Sequence, residues 1–462
     1  MFAVWGSANA EDAAAARLPA RNALRVGSGR AIGPPLSANL GTAAGSATSD
    51  IAQRPGICEF AARFVRTPLP PPGAKPIRVL HVIASIAQRT GGPAKAVVDM
   101  AAAVAARGHA VSIYTTDREM SDAERAAIGM QSADGVQRHV FKQHWPHTFA
   151  ASFELGAALE DAIPQADIVH LHSLYLYHVW KAASVCRKAK VPYLLRPHGT
   201  LDPFLWRRHR GRKKLVELAF QDRVISDAAA LHYTAEEEMR LAAPYVHGAP
   251  GVVVPNGLDM RAYADVPARG AFFAAYPELA GTKPILFLSR INFKKGLDVL
   301  IPAFAKALVA DPALRLVVAG PDDGYLATAK GFAASAGVAD KVLWLGMLSG
   351  EAKKAAFADC AAFALPSWSE NFGIAIVEAM ACEAPVIVSD RVNIWREIEA
   401  AGAGLVSPPE VDAVAAHILL LAGDPMRGRR MGEAGRKLAA AKYDWATIAV
   451  ELERVYARLA AK

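Results

Sequence analysis

Apolar runs alternate with helical patterns along most of the chain, and turn signals bound each run. The first run, Ile77–Ile83, is followed by a glycine turn and by a helical pattern from Pro93 to Arg107. Strands that alternate with helices form parallel sheets with helices on both faces. The same alternation predicts five further strands, at Ala110–Tyr114, Ile168–His172, Tyr193–Leu195, Ala229–Tyr233 and Val252–Val254.

A second series of the same kind begins after a stretch without strand character. The join lies between Val254 and Lys283, because Pro255–Gly257 is a turn signal. A helix is predicted from Asp298 to about Val309. The predicted strands are Pro284–Ser289, Arg315–Ala319, Val342–Leu345, Ala362–Leu365 and Pro385–Val388.

These patterns predict an α/β protein with two Rossmann-like domains whose sheets face each other across a cleft. A chain of 462 residues is long enough for two cores. The first 75 residues mix Ala, Gly, Ser, Pro and Arg and end in a proline-rich linker, so we expect a largely disordered extension. A transit peptide and a bacterial extension both fit it. The predicted segments are 1–75 (extension), 76–258 (first domain), 259–279 (connection), 280–435 (second domain) and 436–462 (C-terminal segment).

The composition describes a globular protein: 53% of the residues are apolar and 21% are charged. No apolar run approaches the length of a spanning helix, so any membrane contact should be peripheral. The four cysteines are scattered, which suits a reducing compartment and argues against a structural metal.

A net charge of +8 favours anionic partners such as phosphates, a phospholipid surface or nucleic acid. Part of the excess lies in the run Trp206–Lys214, which fits either an anionic lipid surface or a solvated helix face. We do not expect nucleic-acid binding, because no recognition fold accompanies the charge.

Two loops at predicted strand ends suit a diphosphate. Adjacent glycines, Gly91 and Gly92, allow backbone N–H groups to approach an anion beside a helix start, although an ordinary tight turn also fits. The G-x-G-x-x-G spacing of a dinucleotide site is absent. Arg290 and Lys295 follow a strand of the second series and can stabilise negative charge that grows on a leaving group.

Two glutamates stand out in the second series, at the end of the strand Ala362–Leu365. Glu370 lies in the turn, and Glu378 lies about two turns into a helix that starts near Phe372. The flanking residues make this helix largely buried, and a buried Glu needs a partner. Gly373 permits close backbone approach.

These stretches, in this order, resemble the GT-B family of retaining glycosyltransferases, whose mark is Glu, seven residues and another Glu. The resemblance covers about residues 76 to 440. The segment from His198 to Pro203, with its basic tail, resembles bacterial transferases that build exopolysaccharide or O-antigen. Supporting matches are Asp167–His170, Arg196–Thr200, Pro255–Asp259 and Ala319–Gly324.

The resemblance implies a role for each candidate residue. Glu370 and His198 would contact the donor sugar, Glu378 the nucleotide ribose, and Arg290 and Lys295 the diphosphate. The predicted catalytic residues are therefore Glu370, His198, Arg290 and Lys295. The predicted donor-binding residues are Gly91, Gly92, Arg290, Lys295, Glu370, Asn371, Phe372, Gly373 and Glu378. Asn371 stands where the family often has Gly.

The resemblance also implies a chemistry and a setting. A retaining hexosyltransferase of this family uses a UDP- or GDP-sugar donor and a glycan or lipid-linked acceptor. We expect no metal and no other cofactor, because protein cations would replace Mg²⁺ and the chain has no Asp-x-Asp triplet. The expected location is cytoplasmic, at times peripheral on the inner membrane. The C-terminal helix, Trp445–Leu459, would pack back on the first domain.

Two alternatives and one minor possibility stay open. A nucleotide-sugar epimerase uses the same architecture, and a catalytically silent module would bind a nucleotide-sugar without turnover. His170 and His172 lie two apart on one strand and share a face, so a metal is conceivable there. Without an evident third ligand, an acceptor contact or packing is the favoured interpretation.

Overall fold

The computed structural model describes residues 75–128, 134–206 and 220–461. Residues 1–74 of the predicted extension and residues 207–214 of the basic run lie outside the described residues. Strands of the described part form two wholly parallel sheets, one for each half of the chain.

The first sheet has seven strands in the order β3-β2-β1-β4-β5-β6-β7. Its interior strands are buried, which explains why they read as continuous apolar runs. The strands are β1 (Arg78–Val82), β2 (Ala110–Thr116), β3 (Val136–Phe141), β4 (Ile168–His172), β5 (Tyr193–Arg196), β6 (Ala230–Tyr233) and β7 (Gly251–Val253).

The second sheet has six strands in the order β10-β9-β8-β11-β12-β13. The two sheets share their topology around the first strand of each half, where the strand order reverses and ligands of such folds bind. The strands are β8 (Lys283–Leu288), β9 (Leu314–Ala319), β10 (Val342–Gly346), β11 (Ala362–Leu365), β12 (Val386–Ser389) and β13 (Gly404–Ser407).

Helices cover both faces of each sheet. In the first half they are α1 (Gly92–Ala105), α2 (Asp122–Ile128), α3 (Phe153–Ala162), α4 (Tyr177–Ala189), α5 (Pro203–Trp206), α6 (Asp222–Ser226) and α7 (Glu236–Ala242). From the connection onward they are α8 (Ala271–Ala275), α9 (Leu297–Ala310), α10 (Leu326–Ser335), α11 (Gly350–Asp359), α12 (Ile374–Ala381), α13 (Trp395–Ala400), α14 (Val411–Gly423), α15 (Pro425–Lys442) and α16 (Trp445–Ala460).

The last helix, α16, returns to the first half of the chain and packs beside α1. Its apolar stripe, which includes Ile448, Leu452 and Tyr456, joins the core beneath β1 and β4. Arg107 on the first half donates to Glu453 of this helix at 2.6 Å through Nε. The chain therefore crosses between the halves twice, once in the connection and once before α16.

Every strand predicted from the sequence is present, with ends that differ by at most about two residues. Two strands were missed, β3 and β13, and both lie at sheet edges. The sequence of β3 mixes polar and apolar residues, and β13 has only two apolar side chains, Leu405 and Val406, so neither forms an apolar run. Among the described residues, no helix is both long enough and apolar enough to cross a membrane.

Candidate functional site

A cavity of about 470 Å³ lies between the carboxyl ends of the two sheets and is lined from both halves. Parallel strands direct their loops to this edge, which explains why residues far apart in sequence meet here. The volume lies within the usual range for small-molecule sites. The residues predicted for the site all line it: Gly91, Gly92, His198, Arg290, Lys295, Glu370, Asn371, Phe372, Gly373 and Glu378.

Lys295 and Glu370 form an ion pair at the centre of this cavity through Nζ and Oε2. Their side chains are only 12% and 15% exposed. The backbone of Glu370 is fixed on both sides, because its N–H donates to the carbonyl of Arg391 and its carbonyl accepts from the N–H of Asn393, each at 3.0 Å. The carboxylate and the ammonium group are therefore held at one place before any ligand arrives.

Arg290 lies at the end of β8 and faces the glycine loop of the first half. Its Nη1 donates to Oδ2 of Asp323 at 2.8 Å, and Asn292 donates to the same oxygen at 3.0 Å. A Cβ placed on Gly91 would lie 3.5 Å from Nε of Arg290. The guanidinium thus lies beside the N-terminus of α1, where an anion would meet both.

Glu378 lies two turns into α12, and it has partners of its own. Its Oε1 accepts from Nζ of Lys353 at 2.6 Å and from the hydroxyl of Tyr263 at 3.0 Å. Burial, followed by the charge of Glu378, raises the pKa of Tyr263, so that this hydroxyl stays a donor. The other carboxylate oxygen, Oε2, makes no hydrogen bond in the described part of the chain.

Two glycines, one next to Lys295 and one near Glu370, allow close approaches that a side chain would block. Gly296 has φ +76°, and a Cβ there would lie 2.0 Å from the carbonyl oxygen of Pro366. Gly373 has φ +76° and caps α12, and a Cβ there would lie 2.6 Å from Cδ1 of Ile376. These two positions require glycine.

His198 and Gly199 follow β5, and both have left-handed backbone, with φ of +54° and +74°. The N–H of Gly199 donates to Oε1 of buried Glu238 at 2.9 Å. Asn371 of the other half packs against Gly199. When its amide is oriented so that nitrogen faces Glu238, that nitrogen donates to Oε1 of Glu238 at 2.9 Å. This turn presents His198 to the cavity.

Phe372 borders the cavity but contributes mainly to the core. Its side chain is buried, and its ring meets that of Tyr443 edge to face with centroids 5.4 Å apart. The helix predicted near this residue begins at Ile374. The phenyl ring therefore supports the loop that carries Glu370.

Side chains of the two halves contact each other near Glu370. Ser369 donates to Oδ2 of Asp202 at 2.7 Å, and Thr234 donates to the carbonyl of Asn371 at 3.3 Å. Arg396 lies 3.6 Å from Glu237. The structure thus shows the two halves in contact beside Glu370.

Three buried histidines, His81, His170 and His172, place one nitrogen each within 4.8 Å of one another. The predicted shared face of His170 and His172 is present, with ring centroids 4.3 Å apart. Both nitrogens of each of these two rings already have hydrogen-bond partners. Burial lowers the pKa of all three rings, and the charge of Arg196 lowers it further, for His170 and His172 after the effect of neighbouring histidines. The same buried cation opposes a metal ion at this place.

Sequence reasoning missed Lys353 and Tyr263, the two partners of Glu378. A lysine on the polar-looking helix α11 gives no sign of its partner, since its contact joins residues 25 apart on two helices with strand β11 between them. The one available signal was that a buried glutamate needs a cation. His81 was also missed as a member of the hydrogen-bonded series that ends at His198, because the strand order that unites β1 with β4 and β5 is not local.

Two family profiles match the chain, one for each half. The family described as "Glycosyl transferase 4-like domain" matches residues 91–257, and "Glycosyl transferases group 1" matches residues 270–438.

Two relatives illustrate the sequence similarity. A phosphatidyl-myo-inositol mannosyltransferase of Mycobacterium leprae is 31% identical over 218 residues, 46% of this chain and 55% of the relative. The chain thus matches only about half the length of that mannosyltransferase. A GDP-mannose:cellobiosyl-diphosphopolyprenol alpha-mannosyltransferase of Xanthomonas oryzae pv. oryzae is 26% identical over 377 residues, 80% of this chain and 93% of the relative.

Solved structures share the architecture. HepE of Anabaena, solved with UDP and glucose, has a TM-score of 0.67 at 18% identity and covers 83% of this chain and 100% of its own. Sucrose-phosphate synthase of Thermosynechococcus elongatus has a TM-score of 0.66 at 20% identity and covers 83% and 99%. The GT-B fold predicted from the sequence is confirmed.

Proposed function

The chain belongs to the group 1 glycosyltransferases of the GT-B fold, and from that premise we propose that it is a retaining transferase. It moves a sugar from a UDP- or GDP-sugar to a glycan or lipid-linked acceptor. The observation that carries this proposal is the convergence of Arg290, the Lys295–Glu370 pair and the Lys353–Glu378 pair on one cavity.

In this proposal each of these groups binds one part of a nucleotide-sugar. Glu378, with Oε2 open, accepts hydrogen bonds from ribose hydroxyls. Arg290 and the N-terminus of α1 bind the diphosphate. Glu370 accepts hydrogen bonds from the hydroxyls of the transferred sugar. Lys295 lies between the sugar and the diphosphate.

In the proposed mechanism the acceptor hydroxyl attacks the anomeric carbon on the face that the diphosphate leaves. Negative charge grows on the leaving oxygen, and Lys295 and Arg290 stabilise it there because they are already in place. The leaving phosphate takes the proton of the acceptor hydroxyl. Glu370, paired with Lys295, orients the sugar as a hydrogen-bond acceptor, and no covalent enzyme intermediate forms.

We also propose that the reaction needs no metal ion. Lysine and arginine supply positive charge where the diphosphate would lie, and the chain has no Asp-x-Asp triplet to hold Mg²⁺. EDTA should therefore leave the rate unchanged, and a rate that falls with EDTA and returns with Mg²⁺ would refute this part.

The name of the Xanthomonas relative suggests the first substrates to test. That protein is named for GDP-mannose and a sugar linked to polyprenol diphosphate. We propose a donor and a lipid-linked acceptor of these classes for this chain, within cell-envelope polysaccharide synthesis at the cytoplasmic face of the membrane.

An exposed aromatic cluster on the first half supports contact with the membrane that would carry such an acceptor. Phe220 lies against Phe149 and Trp180, with ring centroids 6.0 and 6.4 Å away. Trp180 is 42% exposed and Phe204 is 39% exposed. Phe204 and Phe220 flank, in sequence, the basic run that fits either an anionic lipid surface or a solvated helix face.

Vesicle sedimentation tests this contact. The protein should bind vesicles that contain phosphatidylglycerol more tightly than vesicles of phosphatidylcholine alone, and Trp180→Ser should weaken binding. Equal binding to both vesicles, or no effect of Trp180→Ser, would refute the membrane contact.

A screen of UDP-, GDP- and ADP-sugars tests the transferase itself. Calorimetry should detect binding of at least one donor, and slow hydrolysis should release its nucleoside diphosphate. Glu370→Gln should abolish turnover and leave nucleotide binding and unfolding temperature near those of the parent. Release of an epimerised sugar would favour the epimerase alternative, and binding without turnover the silent module.

A further inference from the structure

Six histidines of the first half lie together behind the cavity, next to Arg196 and Tyr456. All except His198 have side chains with no solvent exposure. They come from β1, β4, α4, the turn after β5, and β6, so the strand order brings them together. The six are His81, His170, His172, His178, His198 and His232.

One chain of hydrogen bonds in this group has a fixed direction. His232 Nε2 lies 2.8 Å from the carbonyl oxygen of Val254, so this nitrogen carries the proton and donates. Its Nδ1 is therefore an acceptor, and it accepts from Nε2 of His170 at 3.2 Å. Nδ1 of His170 then accepts from the hydroxyl of Tyr456 at 2.9 Å. The carbonyl of Val254 therefore fixes the position of every proton in this series of hydrogen bonds.

A second chain leads to the cavity. Nε2 of His198 lies 3.1 Å from Nδ1 of His172, and Nε2 of His172 lies 3.0 Å from Nδ1 of His81. The far end, Nε2 of His81, is buried and has no partner among the described residues. Nδ1 of His198 remains for the cavity that this residue lines.

The unpartnered Nε2 of His81 indicates which nitrogens donate in this second series of hydrogen bonds. A buried N–H without an acceptor is rarer in proteins than a buried acceptor without a donor. The guanidinium of Arg196 also favours a lone pair over an N–H at His81, because its positive charge attracts the lone pair. Nε2 of His81 is therefore bare, and its proton is on Nδ1 and points to His172.

The positions of the remaining protons follow, because each neutral imidazole carries one N–H. His172 accepts at Nε2, so it donates from Nδ1 to Nε2 of His198. His198 must then carry its own proton on Nδ1, on the side of the cavity. A neutral imidazole with this tautomer is a hydrogen-bond donor toward the ligand.

We propose that His172 and His81 are positioning residues that fix the tautomer of His198, so that His198 donates a hydrogen bond from Nδ1 to an oxygen of the donor sugar. This inference rests on the proposed function and deepens it. His198 then orients the sugar opposite Glu370 and takes no proton from the acceptor.

The charged groups around the His198 ring favour a neutral imidazole. Burial, and after it the charge of Arg196, holds the pKa of His198 well below its usual value. The carboxylate of Glu238 accepts from Gly199 N and from Thr234, so it does not pair with the ring. Asp202 bonds to Ser369 across the cleft. In the cavity, Glu370 is paired with Lys295.

Two substitutions of His172 separate the link to His198 from the link to His81. Asparagine places an amide near the position of Nδ1 and keeps the donor to His198. Glutamine places it near the position of Nε2 and keeps only the contact with His81. We expect kcat of His172→Gln to be about tenfold below that of His172→Asn, with an unchanged Kd for the nucleoside diphosphate. His232→Gln, which keeps the donor to Val254, is the control for burial and should leave kcat unchanged.

Nitrogen-15 spectra of the labelled histidines test the tautomer without any turnover. In the parent protein Nδ1 of His198, assigned by its loss in His198→Ala, should be protonated and Nε2 bare; His172→Gln should mix the two tautomers. A protonated Nε2 in the parent, or equal kcat for the two His172 variants, overturns the proposal. If His172→Gln does not fold, His81→Leu replaces it. If no nucleotide-sugar is turned over, the proposed function fails while the spectra still decide the tautomer.

Discussion

Each glutamate of the pair that marks this family has its own lysine. Glu370 meets Lys295 and Glu378 meets Lys353, and all four side chains are 20% exposed or less. A carboxylate removed from water requires a partner, and each lysine supplies one at a fixed place in the cavity. In the proposed binding mode the two pairs contact opposite ends of the nucleotide-sugar.

Removing Lys353 should leave Glu378 buried with Tyr263 as its one remaining partner. We expect Lys353→Met to raise the Kd for the nucleoside diphosphate about tenfold, since ribose binding depends on the placement of Glu378. Calorimetry measures this. Lys306→Met is the control, because Lys306 pairs with exposed Asp412 on the surface and should not change the Kd. Equal Kd values for the parent and Lys353→Met would contradict the role given to Glu378.

At the level of helices and strands, the sequence predicts most of the fold but fewer of the contacts within the site. The interior strands were predicted because strands buried on both faces are continuous apolar runs. β3 and β13 were missed because their sequences contain no apolar run. Glu370 and Glu378 were recognised from their spacing. Lys353 was not recognised as part of the site, and His172 was singled out but not as the partner of His198, because tertiary packing sets these contacts and no local pattern encodes them.

The loop before α9 shows how one element depends on one glycine. Gly296 has positive φ, and a side chain there would meet the carbonyl of Pro366 at 2.0 Å. Gly296→Ala should lower the free energy of unfolding by about 2 kcal/mol or more, since strain and a backbone clash add. Urea unfolding measures the change.

Gly331 provides the opposite case, within helix α10, where a Cβ meets nothing within 4 Å. Gly331→Ala should raise the free energy of unfolding by about 0.5–1 kcal/mol because alanine restricts the unfolded chain. If the two variants changed stability alike, the close approach at Gly296 would not be needed for folding.

At the scale of the whole molecule, the buried histidines link folding to pH. Burial lowers the pKa of His81 to about 3 and that of His178 to about 4, and it holds those of His170, His172, His198 and His232 well below their usual value. These rings stay neutral in the folded state but take up protons in the unfolded state below about pH 6.5. Their contribution to stability is complete above that pH and is lost as the pH falls toward 3.

The free energy of unfolding should therefore fall steeply from pH 6.5 to pH 5, by at most about 1.4 kcal/mol per pH unit for each ring. Denaturant titrations at several pH values measure the slope. Arg196→Met removes a buried cation that contributes to the lowered pKa values of all these rings except His178, so its slope should be shallower. A parent protein whose stability is constant between pH 6.5 and 5 would contradict the neutral state of this group.

The anomeric configuration of the product tests the central claim most directly. Proton NMR during turnover of the donor found by the screen, with its acceptor, should show the new glycosidic bond in the configuration of the donor. Glu370→Gln and Lys295→Met should remove that signal while the protein still binds nucleoside diphosphate. A product of inverted configuration, or transfer that persists in both variants, would contradict a retaining transferase built around the Lys295–Glu370 pair.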